Sequence, residues 1–550
     1  MSLTEGGHAP VPESEDTVVR RPDAGGRSTV FGTKGAVACE HPTAALVGLR
    51  ILDAGGTAAD ACVAMAAAMA VLSPMQTGMG GDAFLLFYEA ETGLVAGIDG
   101  SGAAPEVVTV EKLRNLGLGE MPERGGLTVT VPGAVRMWED AASRFGNQPL
   151  ARLLEPAFEL AENGYPVAEV VARYWEEHED VLRANDAATR TFLPGGRPPV
   201  AGEFFSQIDL AATLSAVAVD GADAFYRGEI AAGIARSVRE AGGYLSEEDL
   251  AAHESTFVDP ISTDYRGVRI YEIPPPGQGV AALEMLNILE GFDLSSLGPT
   301  SAERIHLEVE AKKLAFEDLH NEIGDPEFWQ HARVPTERLI SKDYAATLRE
   351  RISPHRAAEL GTEPALGGDT TYLCAVDAEG NGCSFINSLY RAFGSGIVAE
   401  GTGVCLHNRG TLFRLEPGHP NAIAPGKRPL HTIIPGLATR EGALWAVFGV
   451  MGAAMQPQGH AQLLANLLDY GMNPQEAADH PRHRHEDGVL LIEGRVPEVE
   501  IEKLRERGHR VRVNEDYMIP AGGAQLVRIL ENGVRACGSD PRKDGCALAQ

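Results

Sequence analysis

Residues 58–72, AADACVAMAAAMAVL, are the most demanding segment of the chain, because Asp60 is their only charged residue and no polar face breaks the apolar run. A helix that is apolar all round has to be buried. This one is too short and too rich in alanine to cross a bilayer, so it reads as a helix inside a protein core. The chain is long enough to supply that core. At 550 residues, 44% hydrophobic and 23% charged, it exceeds the size at which one core usually stops growing. One large α/β unit or two intimately packed layers are expected.

The flanking sequence supports an α/β reading. GAVACEHPTAALVGLRILDAGG predicts a short strand and then a helix over about 42–52 that stops at Gly55-Gly56. After a glycine-rich turn, Ala83–Tyr88 and Leu94–Ile98 read as two strands of a hairpin joined at Glu91-Thr92-Gly93. The middle third is mainly helical. Thr300 and Glu303 have capping-box spacing ahead of a stripe formed by Leu307, Ala311, Leu314 and Leu319. IPPPGQG at 273–279 is a loop, since its prolines forbid a central strand. Strands return in TYLCAVD, GCSFINSLY and LWAVFGVMG, a helix follows over about 457–470, and further strands close the chain. The implied arrangement has helices outside and sheets inside. Residues 1–30 lack periodic apolar positions and read as a polar tail.

Charge removes several function classes. With 47 basic against 77 acidic residues the formal charge is −30, which opposes binding to nucleic acid or to anionic membrane. Most of the basic residues are arginine, and such an acidic, lysine-poor surface suits concentrated salt. Seven cysteines without a CxxC pair indicate neither a disulfide framework nor a zinc knuckle. No signal peptide is visible in the first 30 residues, so a cytoplasmic location is expected.

Residues 367–384, GGDTTYLCAVDAEGNGCS, hold the chemistry. A threonine hydroxyl is a poor nucleophile without a base, and no GxSxG elbow or ordered Ser/His/Asp set supplies one. If the Asp369–Thr370 bond were cut, however, Thr370 would carry a free α-amine with a pKa of roughly 7.7–8.0, able to act as its own base. Gly367-Gly368 would permit the strained backbone that exposes such a bond. Taken alone, the stretch reads more simply as a turn before an ordinary strand.

From about Gly35 onward the sequence resembles the γ-glutamyltransferase family of N-terminal-nucleophile hydrolases. The stretches carrying the resemblance include SPMQTGMGGDAF, LTVTVPGAVRMWE, LAENGYPV, PPPGQG, DTTYLCAVDAEGNGCSFINSLYRAFGSGIVAEGTGV, GKRPLHTIIPG and MGAAMQPQGH, in the family's order. The resemblance implies a four-layer αββα sandwich, made as a precursor that cuts itself between Asp369 and Thr370. Residues 31–369 would form the large subunit and 370–550 the small one, together a heterodimer; a higher oligomer stays open. Thr370 would attack an amide carbonyl and pass the acyl group to water or an amine, so the partners are a small-molecule acyl donor and acceptor. No cofactor or metal is implied. Thr371 and Ser388 match hydroxyls near the nucleophile. Gly452 and Ala453 match a Gly-Gly pair whose N–H groups form the oxyanion hole, which survives if Ala453 adopts the backbone shape of glycine.

Substrate recognition departs from the family pattern. Ser101 stands where an arginine is usual, Leu412 where an acidic residue is usual, Tyr390 at an asparagine, and His431-Thr432 at a serine pair. A missing charge partner costs roughly 1.5–3 kcal/mol for each hydrogen bond to a charged group. Glutathione is therefore expected to be a poorer substrate. Arg391 and Arg409 are candidate carboxylate partners, and His431 is either a pocket-lining donor or a general acid. The departures resemble family members that act as amidohydrolases on oxamate or on glutaryl side chains of β-lactams. The alternatives are thus a γ-glutamyl enzyme, an amidohydrolase for a non-amino-acid acyl group, and an unprocessed small-acid-binding or structural relative. HPRHRHEDG at 480–488 offers His480, His483 and His485, whose spacing is imperfect for a metal site.

Overall fold

Along the strand Asp369–Val376, Tyr372, Cys374 and Val376 enter one apolar layer while Leu373 and Ala375 enter another. Both faces of this strand are covered, so it must lie inside a stack. The structure, a computed structural model, describes residues 26–328, 334–359 and 368–550.

Two seven-stranded sheets form the middle of the stack. One runs in the order Cys546–Ala549, Ala36–Cys39, Asp369–Val376, Gly382–Tyr390, Asp82–Glu89, Leu94–Gly100, Thr256–Val258. The other runs Val30–Gly32, Arg535–Ser539, Ala524–Ile529, Ala443–Val450, Gly436–Arg440, Val268–Glu272, Ile261–Tyr265. Neighbouring strands in both are antiparallel. The layer between the sheets is built from Phe84, Leu86, Tyr372, Cys374, Ile386, Leu437, Val447 and Val527. Tyr372 reaches across it to Gly449, where a Cβ would sit 2.4 Å from the ring. That glycine lets the sheets close at this point.

The segment 58–72 is a helix, Ala58–Leu72, with every residue buried. It packs on strands Asp369–Val376 and Gly382–Tyr390, and helices Pro42–Asp53, Ala134–Phe145 and Leu150–Asn163 surround it. This explains its apolar circumference. Asp60 closes a capping box: its Oδ2 accepts the Thr57 N–H at 2.9 Å, and its own N–H donates to Thr57 Oγ1 at 3.2 Å. A cap of this type is worth about 1 kcal/mol. On the far side, helices Gly279–Leu289, Ala302–Glu322 and Met455–Leu468 cover the second sheet. Four layers, αββα, result.

Local boundaries differ from the sequence reading in three places. The long middle helix is capped by Ser301, whose hydroxyl accepts the Arg304 N–H, one residue beyond the expected Thr300. Here the cap follows Pro299-Thr300 into extended backbone rather than starting at once. Helix Met455–Leu468 begins two residues before the proline at 457, because proline is tolerated in a first helical turn. At the other end, residues 27–30 of the expected tail are docked. Arg27 donates to the carbonyls of Gly545 and Ser539, and Val30 pairs with Cys537. Residues 1–25 lie outside the described residues.

Among the described residues no helix is long and apolar enough to cross a membrane.

Candidate active site

The antiparallel pairing of Asp369–Val376 with Gly382–Tyr390 brings the start of one strand beside the end of the other, with Asp369 opposite Tyr390. The register shifts between Asp369 and Thr371, the kind of irregularity that re-aims side chains at functional sites. Thr370 is 1% exposed and Ser388 is fully buried. Their hydroxyls meet at 3.0 Å, and Ser388 Oγ accepts the Tyr390 N–H at 2.8 Å. Thr371 faces away from this pair. It lies opposite Asn387, and its hydroxyl has no partner among the described residues.

Backbone strain is concentrated here. Tyr390 has φ +75° and Ala453 φ +51°, both in the left-handed region that disfavours side chains. Ala453 has thus taken the shape expected of glycine. Gly452 precedes it at φ +125°. Neither residue's N–H has a hydrogen-bond acceptor among the described residues, and both lie just ahead of helix Met455–Leu468, at its positive end. Two unengaged N–H groups at a helix N-terminus can stabilise a developing oxyanion. Gly368 closes the approach from the other side. A Cβ there would sit 2.4 Å from the Tyr390 carbonyl oxygen and 3.2 Å from Ala453 Cβ. Gly367 lies outside the described residues.

A line of contacts runs behind Thr370. The Arg409 guanidinium lies 4.7 Å over the Tyr390 ring and donates from Nη1 to Thr432 Oγ1 at 2.6 Å. The carbonyls of Thr432 and Ala453 both accept from Gln278 Nε2. Thr370, Ser388, Tyr390, Arg409, Thr432 and Ala453, named from the sequence, therefore occupy one neighbourhood.

Asp82, His407, His431 and Arg409 form a fully buried polar cluster beside it. Asp82 Oδ2 accepts from His431 Nε2 at 3.0 Å and lies 3.4 Å from His407 Nδ1 and 3.8 Å from Arg409 Nε. Its other oxygen accepts the N–H groups of Gly102 and Gly133. Burial alone would raise the Asp82 carboxyl, but His407, His431 and Arg409 outweigh it and hold it below the usual carboxylate range. Burial pushes His431 down to about 3 and Arg409 down to about 10. At neutral pH His431 is an uncharged donor to Asp82. That arrangement does not suit a general acid.

A cavity of about 960 Å³ opens next to Tyr390. Arg391, Leu412, Arg414, Glu123, His320 and His419 are on its wall. Arg391 makes an ion pair with Glu123 at 3.3 Å, and its Nε is buried without a hydrogen-bond partner among the described residues. Ser101 is not part of that wall. It is buried, and its N–H and hydroxyl both donate to Asp99 Oδ1, at 2.8 and 2.6 Å. Asp99 in turn lies 3.4 Å from Arg428.

Asp82 and Gln278 carry the site's internal bonds, yet the sequence reading absorbed them into glycine-rich and proline-rich loops. The available signals were chemical. Asp82 is a carboxylate entering an apolar strand, which requires buried partners. Gln278 is the only side-chain amide donor in a segment whose prolines have no N–H.

The histidines of 480–488 go separate ways. His480 donates to the Pro299 carbonyl, His483 faces Glu308 at 3.4 Å, and His485 faces Lys312 at 3.4 Å. His306, Glu310 and His509 do converge, within 4.8 Å of one another. There Glu310 already accepts from the Lys313 ammonium at 2.7 Å and from the Ala358 N–H at 3.0 Å, while the two imidazoles bond each other at 2.8 Å. Those contacts satisfy the cluster as a hydrogen-bonded network.

Comparison with known proteins matches this geometry to one family. The gamma-glutamyltranspeptidase family model covers residues 44–550. The chain is 39% identical to the glutathione hydrolase-like YwrD proenzyme of Bacillus subtilis, across 94% of this chain and 99% of that protein. It is 35% identical to the acylase ACY 1 proenzyme of Pseudomonas sp. strain SE83, across 98% and 97%. The crystal structure of cephalosporin acylase from Bacillus halodurans superposes with a TM-score of 0.90 at 41% identity, covering 98% of this chain and 99% of that one. With its αββα fold and a family match that runs over residues 44–550, this chain belongs to the gamma-glutamyltranspeptidase family.

Proposed function

We propose that the chain is a precursor that cuts itself between Asp369 and Thr370 into subunits 31–369 and 370–550, and then acts as an N-terminal-threonine amidohydrolase or acyltransferase. In the cut, Thr370 Oγ bonds to the Asp369 carbonyl carbon as it loses its proton. The C–N bond breaks, the Thr370 nitrogen gains a proton, and water hydrolyses the resulting ester to free the Asp369 carboxylate. The liberated amine then takes the Oγ proton and returns it to the leaving amine of a substrate amide. Gly452 and Ala453 N–H groups hold the oxyanion, and the acyl ester is resolved by water or by an acceptor amine. The observation that carries the reading is the Thr370–Ser388 hydroxyl contact at 3.0 Å beside unengaged N–H groups on the left-handed Gly452-Ala453 turn.

The acyl group in this reading lacks the α-amine and α-carboxylate pair of glutamate. Ser101 is committed to Asp99, Leu412 puts an apolar side chain on the cavity wall, and the wall carboxylate Glu123 is already paired with Arg391 at 3.3 Å. A carboxyacyl group such as glutaryl fits better, with Arg391 on the cavity wall as its carboxylate partner. Relatives named as an acylase and a cephalosporin acylase fit an amidohydrolase acting on acyl amides.

The test compares glutaryl-p-nitroanilide with γ-glutamyl-p-nitroanilide. The glutaryl compound is expected to have the higher kcat/KM, and Arg391→Ala to raise its KM about tenfold with kcat little changed, the loss of roughly one charged hydrogen bond. A strong preference for γ-glutamyl would overturn the assignment.

A further inference from the structure

We infer that Gln278 is a positioning residue of the oxyanion hole: its side-chain amide holds the Gly452-Ala453 turn in the left-handed shape that aims the N–H groups. The inference rests on the reading of Thr370 as nucleophile and adds a residue to it. Gln278 is fully buried. Its Nε2 donates to the Ala453 carbonyl at 2.7 Å and to the Thr432 carbonyl on the facing segment. Both partners are backbone carbonyls, which only accept, so the amide orientation is fixed by its surroundings.

Ala453 needs such a hold. A residue with a side chain at φ +51° sits in a disfavoured region and persists only where its surroundings over-determine it. Within the turn, Met455 N–H donates to the Gly452 carbonyl and Gln456 N–H to the Ala453 carbonyl, each at 3.0 Å. These bonds belong to the helix start and would form equally well on a relaxed entry. Among the described residues, Gln278 Nε2 adds a hydrogen bond from outside the helix to the carbonyl whose orientation sets ψ of Ala453. Gln278 is itself immobilised, since its N–H donates to the His431 carbonyl at 3.0 Å while the His431 N–H donates to the Pro276 carbonyl at 2.8 Å. One amide thus joins the oxyanion turn to Thr432, which carries Arg409. Gln278 therefore ties the proposed hole to the Thr432 segment, alongside the Ile434 N–H that donates to Gln456 Oε1 at 2.8 Å.

Two substitutions test this on the purified, self-cut enzyme with acyl-p-nitroanilides. Gln278→Met keeps the length and removes the donor. It is expected to lower kcat by tenfold to about a hundredfold with KM within about twofold, somewhat less than deletion of an oxyanion donor itself. Gln278→Glu can donate only when protonated, so its kcat–pH profile is expected to gain a falling alkaline limb that the wild type lacks. A purely packing role would leave the shape of that profile unchanged. If wild type releases product and Thr370→Ala does not, but Gln278→Met keeps its kcat or Gln278→Glu keeps the wild-type profile, the role of Gln278 is overturned alone. A wild type that releases product from neither anilide overturns both readings. Should Gln278→Met fail to fold, the pH profile of Gln278→Glu decides.

Discussion

Thr370 Oγ1 lies 3.0 Å from Ser388 Oγ, and Ser388 Oγ takes the Tyr390 N–H at 2.8 Å. The second bond orients the serine, and the serine in turn orients the Thr370 hydroxyl. Ser388→Ala removes one neutral hydrogen bond at the nucleophile, worth about 0.5–1.5 kcal/mol. Initial-rate kinetics should show kcat lowered by up to about tenfold with KM unchanged. Ser388→Thr keeps the hydroxyl and should retain most of the activity.

The left-handed backbone at Ala453 predicts an unusual tolerance. Ala453→Gly should leave kcat within a few-fold of wild type, since glycine adopts φ +51° without steric cost. Ala453→Val puts a β-branched side chain there, at a cost of about 1–3 kcal/mol, and next to Gly368. Paired melting and rate measurements should show Ala453→Val both less stable and far less active.

Gly368 sits one residue ahead of the bond proposed to be cut, against the Tyr390 carbonyl. Gly368→Ala would place Cβ 2.4 Å from the Tyr390 carbonyl oxygen, so the backbone before Thr370 must move. Gel analysis of freshly made protein should show the uncut chain persisting in this variant while its circular dichroism stays that of wild type.

Acid should destabilise the fold well before its carboxylates titrate. Burial pushes His431, His480 and His483 down to about 3, against roughly 6.5 in an unfolded chain. Below that value the unfolded state binds more protons than the native one, so stability falls as pH falls. Each such histidine forfeits about 1.4 kcal/mol per pH unit. The depressed carboxyl of Asp82 acts lower still; its contribution is complete above roughly pH 4 and is lost as pH drops toward its folded value. Thermal melts at pH 7.5 and 5.5 should therefore show a clearly lower Tm at 5.5. Equal values would mean that the histidines are not buried as described.

Patterns that act over short range were legible in the sequence. The apolar run at 58–72, the hairpin at 83–98 and the Thr370 strand all fold as their periodicity dictates, because each is decided by which faces must leave water. Motif order named six residues that the fold brings into one neighbourhood. What sequence could not supply was the partner of each polar group. Ser101 looks free to meet a ligand until Asp99 is seen taking both its donors. His431 looks like an acid until Asp82 and its own burial make it a neutral donor. Gln278 has no visible role until the carbonyls of Thr432 and Ala453, more than 150 residues away, converge on it. Those pairings are long-range, and no local pattern encodes them.

The central claim is that the Asp369–Thr370 bond is cut by Thr370. A denaturing gel of freshly purified wild type beside Thr370→Ala tests it most directly. The account predicts two wild-type bands at roughly two-thirds and one-third of the 58.4 kDa mass, and a single full-length band for Thr370→Ala. A wild type that remains one intact band, or a Thr370→Ala chain that is cut at the same place, would contradict it.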